Sequence, residues 1–389
     1  MDLIKTMEET VLRPPSDGDG WDRLGSLFSG IGFLQMKTTP QDPVYHAEGD
    51  VMTHTRMVCE KLLSMPEFQR LPIRQRAELF LAALLHDIGK VKTTRIVSGT
   101  PAAPFHAPSG SRIVRASLMR DFGLCGTPEY IDFRETVCAL IRYHMTPLHL
   151  SECGEPAFCV RKTASVGELA HGFSPELLYL LAEADSDGRI AGNKEESAAC
   201  ARIYRAEAED AGCLDGPYPF PDGYTKRAYF SGRNVCPDQP LFDSTWGEIA
   251  VMSGLPGTGK DEWIKNYLQG LPVVSPDAIR KELGVKPTDP QGRVFSAAFA
   301  RAKEHLRNKT EFVWNATDLT ENTRAKIIDL IERYGARARI VYLETGRDER
   351  IKRNAKRAGA VPEKAVDKMT EKTVPPLPFE AQTVEWICV

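Results

Sequence analysis

His86 and Asp87 stand side by side in LAALLHDIGK (Leu81–Lys90), where an apolar run long enough for about two helical turns ends. An imidazole nitrogen next to a two-oxygen carboxylate can hold one divalent cation and still bridge to a second. The competing reading is a plain helix C-terminus, with His86 and Lys90 answering the dipole and Gly89 as a left-handed cap. Two more residues bear on the choice. His54 lies in GDVMTHTRMVCEKLL, where Val51, Val58 and Leu62 recur at helical spacing, so its ring falls on or beside a buried stripe. Asp185 lies near the end of another apolar helix, ELLYLLAEADSDGRI. Each alone reads as a hydrogen-bonded core residue. Together they are harder to place without a cation, because buried imidazoles and carboxylates left unpaired are costly.

A second group of residues suits phosphate. The apolar run IAVMS is followed by GLPGTGK and then by the helical stretch DEWIKNYL, which is strand, glycine loop, helix. The backbone of Gly254, Leu255, Pro256, Gly257, Thr258 and Gly259 would curl so that N–H groups and the helix N-terminus face phosphates, with Lys260 neutralising the outer ones. ATP or another nucleoside triphosphate is the expected ligand. The next position, ordinarily Ser or Thr holding Mg²⁺, is Asp261. A carboxylate there is tolerated if it reaches Mg²⁺ directly or through water, or turns away, and a role through water is the expectation. Further on, LPVVSPDAIRKELG places Asp277 and Arg280 on one side of a first helical turn. They read either as a capping Asp with a surface Arg or as the carboxylate that takes a proton from an attacking hydroxyl. EFVWNATDLTENTR gives a strand ending at Asn315, and ARIVYLE another. Arg347, Arg350, Arg353 and Arg357 mark a basic helical segment that either closes over phosphates or is simply solvated.

The elements positioning these residues divide the chain. Its 389 residues, 42% apolar and 26% charged, suit two or three globular domains. From Asp50 to about Tyr204 helix follows helix, an all-α bundle. MDLIKTMEETVLRPP starts with a short amphipathic segment, PPSDGDG reads as a loop, and Trp21 to Leu34 is expected to pack on the first domain. His46, Glu48 and Asp50, just before His54, either line the site or serve as turn and N-cap residues. Residues 212–243, rich in Pro, Gly and aromatics, read as a linker along a surface. The expected division is residues 1–211, a linker at 212–245, and an α/β domain with a parallel sheet at 246–389. From Trp246 onward 24 Lys and Arg stand against 20 Asp and Glu, net +4; before it the count is 26 against 33, net −7. An acidic half suits cations and a basic half phosphates, although the difference is small. Nine cysteines without a CxxC pair point to reduced, buried residues rather than a zinc knuckle or disulfide framework. No long uncharged apolar stretch and no signal-like N-terminus occur, so no membrane role and a cytoplasmic address are expected.

The order His54, His86-Asp87, Asp185 resembles that of the HD-domain phosphohydrolases. The resemblance extends to His106, four residues before Gly110 in FHAPSGSRIVRASLM, and to His144 in IRYHMTP. It implies six ligands (His54, His86, Asp87, His106, His144 and Asp185) for two cations, with Asp87 as the bridge and Lys90 and Arg112 meeting a phosphate. Mixed imidazole and carboxylate donors suit Mn, Ni, Co, Zn or Fe better than Ca. The second half resembles the P-loop polynucleotide kinases over residues 248–375, through the glycine loop, the D-x-x-R pair, N-A-T at Asn315–Thr317 and R-N-x-x-R at Arg353–Arg357. This implies that Asp277 is the general base for a polynucleotide 5′-OH, and that Arg280, Asn315 and Arg324 contact substrate. Arg353 and Arg357 would be lid arginines on ATP, with Mg²⁺ alongside. Asn315 stands where such kinases often have an Asp, so a substrate contact is expected there rather than metal binding.

The two modules in this order resemble the bacterial HD-Pnk fusions, end-healing enzymes of nucleic-acid repair. The resemblance implies removal of a 2′-phosphate, 2′,3′-cyclic phosphate or 3′-phosphate by one half and ATP-dependent phosphorylation of a 5′-OH by the other. RNA or DNA ends so treated can be joined by a ligase. Two readings compete: a nucleotide or cyclic-nucleotide phosphohydrolase fused to a small-molecule kinase, and a non-catalytic, nucleotide-regulated module that binds RNA ends.

Overall fold

The computed structural model describes residues 2–192, 194–356 and 359–389. The chain divides into two compact units, Met1–Leu124 with Glu129–Pro219, and Cys125–Pro128 with Phe220–Val389.

The first unit is helical, as the periodicity predicts. Its core helices are α1 (Val51–Ser64), α2 (Ile73–Leu85), α3 (His106–Arg120), α4 (Pro128–Tyr143), α5 (Pro175–Asp187) and α6 (Lys194–Asp210). Helix α2 is central: every residue from Ala77 to Leu85 is buried, and all but Glu78 are apolar. Helix α1 packs on α2 and α5, and α5 on α6. Asp50 caps α1 by accepting from Thr53 N at 2.9 Å, which settles its role as an N-cap. Three local expectations need correction. The helical run is interrupted by an antiparallel hairpin, Arg95–Val97 with Thr100–Ala102. PPSDGDG is not all loop: Asp17 accepts from Gly20 N and starts the helix Gly18–Ser26. Cys153 and Cys159 form a disulfide, six positions apart, although Cys59, Cys138, Cys200 and Cys213 are free and buried as expected.

The second unit holds a five-stranded parallel sheet. Its strands are β1 (Glu248–Ser253), β2 (Val273–Val274), β3 (Val313–Asn315), β4 (Arg337–Glu344) and β5 (Thr383–Cys388), in the order β2-β3-β1-β4-β5. Buried β1 pairs with β3 through Met252 and Asn315 and with β4 through Ser253 and Tyr342. All strands being parallel, their C-terminal ends share one edge, where ligands bind in such sheets. One core cluster is built from Ile249, Val251, Phe312, Trp314, Ile327 and Ile340, and another from Met252, Trp263, Val341 and Leu343. Strand β5 is additional to the four expected strands. The segment expected as a linker is also more ordered than its composition suggests. Residues 220–245 contain a helix, Gly223–Phe230, capped by Asp222, and Arg227 pairs with Glu332 at 2.7 Å. Trp246 Nε1 donates to Tyr334 O at 2.8 Å.

Candidate functional site

In the first unit five helix ends and turns converge. His54 comes from the first turn of α1, His86 and Asp87 from the turn closing α2, and His106 is the first residue of α3. His144 follows α4, and Asp185 lies in the last turn of α5. All but His106 are fully buried or nearly so. Gly89 makes the convergence possible, by close approach rather than as a left-handed cap. Its φ is −64°, and a Cβ on it would fall 2.0 Å from His106 O and 2.7 Å from Gly110 N.

Three imidazoles share one arrangement. His86 Nδ1 lies 2.8 Å from Ala83 O, His106 Nδ1 2.9 Å from Ala103 O, and His144 Nδ1 2.8 Å from Ile141 O. A carbonyl only accepts, so each Nδ1 carries the proton and each Nε2 keeps a bare lone pair. His54 differs: its Nδ1 faces Glu48 Oε1 at 3.0 Å, and although burial lowers it, the Asp185 and Glu48 carboxylates outweigh that and hold its pKa above the usual imidazole value. The four Nε2 atoms face two carboxylates. Asp87 Oδ2 is 3.3 Å from His86 Nε2 and 3.8 Å from His54 Nε2; Asp87 Oδ1 is 3.3 Å from His106 Nε2 and 3.9 Å from His144 Nε2. Asp185 Oδ1 is 3.0 Å from His54 Nε2. Asp87 thus splits its oxygens between two histidine pairs, as a bridging carboxylate must.

The donor set fits divalent cations. His106 Nε2 and His144 Nε2 are 3.3 Å apart, two lone pairs facing each other. His86 Nε2 and Asp87 Oδ1 are buried without hydrogen-bond partners. Each such atom costs about 1–3 kcal/mol unless something answers it. Burial pushes His144 down to about 3, and the facing imidazoles add to the shift, so it is neutral and ligand-competent at ordinary pH. Burial raises Asp87, but the Lys90 charge and the surrounding imidazoles outweigh it and hold the carboxylate well below its usual range. Asp185 is likewise raised by burial yet held low by Arg189 and His54.

A cavity of about 420 Å³ opens over this cluster, lined among others by His46, Lys90, His106, His144, Asp185 and Arg189. Lys90 reaches it as expected, but its Nζ is already held 2.7 Å from Asp87 Oδ2 and 2.7 Å from Gln41 Oε1. Arg112 does not reach it. It is exposed on α3, and six residues beyond His106 a helix has turned about 240° to another side. Sequence reasoning missed Arg189, whose Nη2 lies 2.8 Å from Asp185 Oδ1; the only signal was an Arg four residues beyond an Asp on one helix. Glu48 belongs to the site. Its Oε1 accepts from His46 Nδ1 (2.9 Å) and stands 3.0 Å from His54 Nδ1, while Oε2 accepts from Ile190 N at 3.0 Å. Such outer partners fix the tautomer and orientation of a ligand.

In the second unit, the loop after β1 runs through Gly254, Gly257 and Gly259 with φ of 139°, 86° and 88°. At Gly254 a Cβ would also fall 2.5 Å from Leu343 O, so only glycine fits. Leu255, Pro256 and Thr258 are buried, and Thr258 Oγ1 donates to Leu255 O at 2.9 Å. Lys260 opens the helix Lys260–Tyr267, and its Nζ folds onto the carbonyls of Gly254 (2.7 Å) and Leu255 (3.0 Å). Asp261 Oδ1 accepts from Asn315 Nδ2 at 2.7 Å, joining the loop to the end of β3. Asp277 sits in the first turn of Pro276–Glu282, just after β2, and is ion-paired with Arg280. Arg280 Nε also donates to Gln291 Oε1 at 2.7 Å. The guanidinium of Arg353 lies over the loop, 3.0 Å from where a Cβ on Gly259 would stand. Arg357 lies outside the described residues.

Arg324 is not a substrate contact. It is wholly buried, with Nε and Nη2 on Glu380 (2.7 and 2.8 Å) and Nη1 on Asp318 O and Val374 O. Its spacing on a polar helix concealed a partner 56 residues away. Asp318 was also missed. It is buried, accepts from Trp314 Nε1 at 2.8 Å, and burial pushes it up to about 6.

Comparison with protein-family models gives a match to a model described as an HD domain over residues 50–186 and to one described as an AAA domain over residues 249–376. The first range contains all six converging His and Asp residues, and the second contains the glycine loop, Asp277, Asn315 and Arg353. Among the described residues no helix is long and apolar enough to cross a membrane. The chain therefore joins a helical HD domain, implying divalent metals and phosphohydrolysis, to a P-loop kinase-like domain, implying a nucleotide and Mg²⁺.

Proposed function

We propose that this protein is a bifunctional nucleic-acid end-healing enzyme. The HD domain removes a 2′-phosphate, 2′,3′-cyclic phosphate or 3′-phosphate, and the P-loop domain transfers the ATP γ-phosphate to a polynucleotide 5′-OH. The observation that carries the hydrolytic half is the convergence of four imidazoles and two carboxylates beneath a cavity walled by Lys90 and Arg189. His54, His86, Asp87, His106, His144 and Asp185 would hold two transition-metal cations. When bound, these supply polarisation of the phosphoryl group and activation of water near neutral pH. The ammonium of Lys90 has three donors, two of them engaged by Asp87 and Gln41, which leaves one for a phosphate oxygen.

In the kinase half, Lys260 exchanges the carbonyls of Gly254 and Leu255 for phosphate oxygens. Asp277 receives the proton of the attacking 5′-oxygen, and Arg280, beside it, meets a substrate phosphate. Arg353 neutralises the phosphates from above the loop, Asp261 would hold Mg²⁺ through water, and Asn315, hydrogen-bonded to Asp261, contacts the substrate. Catalysis here is chiefly positioning for in-line attack. The products suit a ligase acting next.

One experiment tests both halves. The protein is incubated with ATP, Mg²⁺, Mn²⁺ and an oligonucleotide bearing a 5′-OH and a 2′,3′-cyclic phosphate, and both termini are followed. Both ends are expected to change, with His86→Ala sparing 5′ labelling and Lys260→Ala sparing 3′ healing. Turnover of free nucleosides and cyclic nucleotides, with oligonucleotide ends untouched, would overturn the reading in favour of small-molecule substrates. No turnover of either kind would favour a binding module.

A further inference from the structure

The helix Gly292–Arg307 in the kinase unit carries two adjacent rows at four-residue spacing. Val294, Ala298, Ala302 and Leu306 form the buried row, each at most 2% exposed. Beside it runs Phe295, Phe299, Lys303 and Arg307. Phe295 is 43% exposed, an aromatic ring held out on a helix whose core face is already filled. Phe299 is braced from behind by Trp314, with ring centroids 5.2 Å apart. Small Ser296 and Ala300 flank this row, and the six residues line a shallow hollow of about 450 Å³.

The charges point one way. The helix carries Arg293, Arg301, Lys303 and Arg307 against a single acid, Glu304. Arg301 is taken up by Glu282, but among the described residues no acidic side chain pairs with Lys303 or Arg307. Gln291, just before the helix, holds Arg280, so the aromatic end of the row begins one turn from the pair Asp277–Arg280. Successive members then step away from it by about 6 Å.

We propose that this row is a platform for the single strand downstream of the 5′-OH. The first bases stack on Phe295 and the exposed edge of Phe299, and the following phosphates meet Lys303 and Arg307. Aromatic rings followed by cations along one groove are what binds single-stranded nucleic acid without regard to sequence. This inference rests on the polynucleotide kinase reading and extends it, because it requires acceptors longer than a dinucleotide to bind better than a dinucleotide.

The test uses the full chain and a fluorescent 5′-OH oligonucleotide of about a dozen nucleotides. Phe295→Ala should weaken binding about tenfold, and Phe295→Tyr should restore it. Lys303→Glu with Arg307→Glu should lower the slope of log affinity against log salt by about 1.4, two phosphate contacts' worth. All variants should keep the wild-type melting profile, the KM for ATP and the rate on a dinucleotide acceptor. Unchanged oligonucleotide affinity and salt slope in both variants, with the oligonucleotide still phosphorylated, would overturn the platform and leave the kinase reading standing. A wild-type protein that phosphorylates nucleosides but neither binds nor phosphorylates the oligonucleotide would overturn both.

Discussion

The metal centre and the phosphate loop solve opposite problems. At the metal centre the reactive atoms are side-chain atoms, drawn from helix ends far apart in sequence and gathered at the floor of a cavity. Three of the four imidazoles are each oriented by a hydrogen bond from Nδ1 to a backbone carbonyl before any ligand arrives. At the phosphate loop the principal groups are backbone N–H donors, and the side chains around them sit in ion pairs and hydrogen bonds that a substrate must displace. Lys260 rests on loop carbonyls and Arg280 on Asp277, whereas His86 Nε2 has no hydrogen-bond partner to give up. One site is set in advance; the other is assembled by exchange.

The contrast is broken most directly by removing the bridge. Asp87→Ala should lower phosphohydrolysis by at least ~10³-fold and leave 5′ phosphorylation at the wild-type rate, as read on separate end-labelled substrates. Equal loss of both activities would mean that the two sites do not act independently. Next in size, Lys260→Ala should reduce phosphoryl transfer by ~10²–10³-fold while 3′-end hydrolysis persists.

Glu48→Gln probes whether pre-orientation matters at the metal centre. It keeps the shape but weakens the acceptor shared by His46 and His54, so metal affinity should fall ~10–100-fold in a direct titration with Mn²⁺. Unaltered affinity would show that His54 needs no such partner. At the loop, Asp261→Ala should raise the Mg²⁺ concentration needed for ATP binding about tenfold, and adding Asn315→Asp should recover most of it, because a carboxylate then returns from the other side of the same 2.7 Å contact. No recovery would mean that Asp261 turns away from the ion.

The smallest effect concerns stability. Asp318 has its folded pKa raised to about 6 from an ordinary 3.8, so the folded state holds the proton more tightly than the unfolded state between those values. Stability then falls as pH rises through that window. Asp318→Asn should therefore stabilise the protein at pH 7 by about 1–2 kcal/mol and flatten the melting temperature between pH 4 and 6. A lower melting temperature at pH 7 would contradict the assignment.

What could be read in the sequence follows the same division. His54, His86, Asp87 and Asp185 were legible because His and Asp on apolar helices have few other reasons to be there, His106 and His144 only through the resemblance to HD phosphohydrolases, and the glycine loop because backbone curling demands its spacing. Glu48 and Arg189 were not, since their roles depend on which loop or turn comes alongside. Arg324 misled because a polar helix and a distant Glu380 give no local sign of burial. The strand Thr383–Cys388 lay beyond the last recognised motif, its alternation short and partly polar.

The contact between Gly89 and the carbonyl of His106 acts as a caliper. Because main chain lies against main chain there, the spacing between the His86–Asp87 turn and the start of α3 is set by backbone rather than by a side chain. Replacing one ion by another of different radius must then be absorbed by rotation of the carboxylates and rings, with the scaffold left in place.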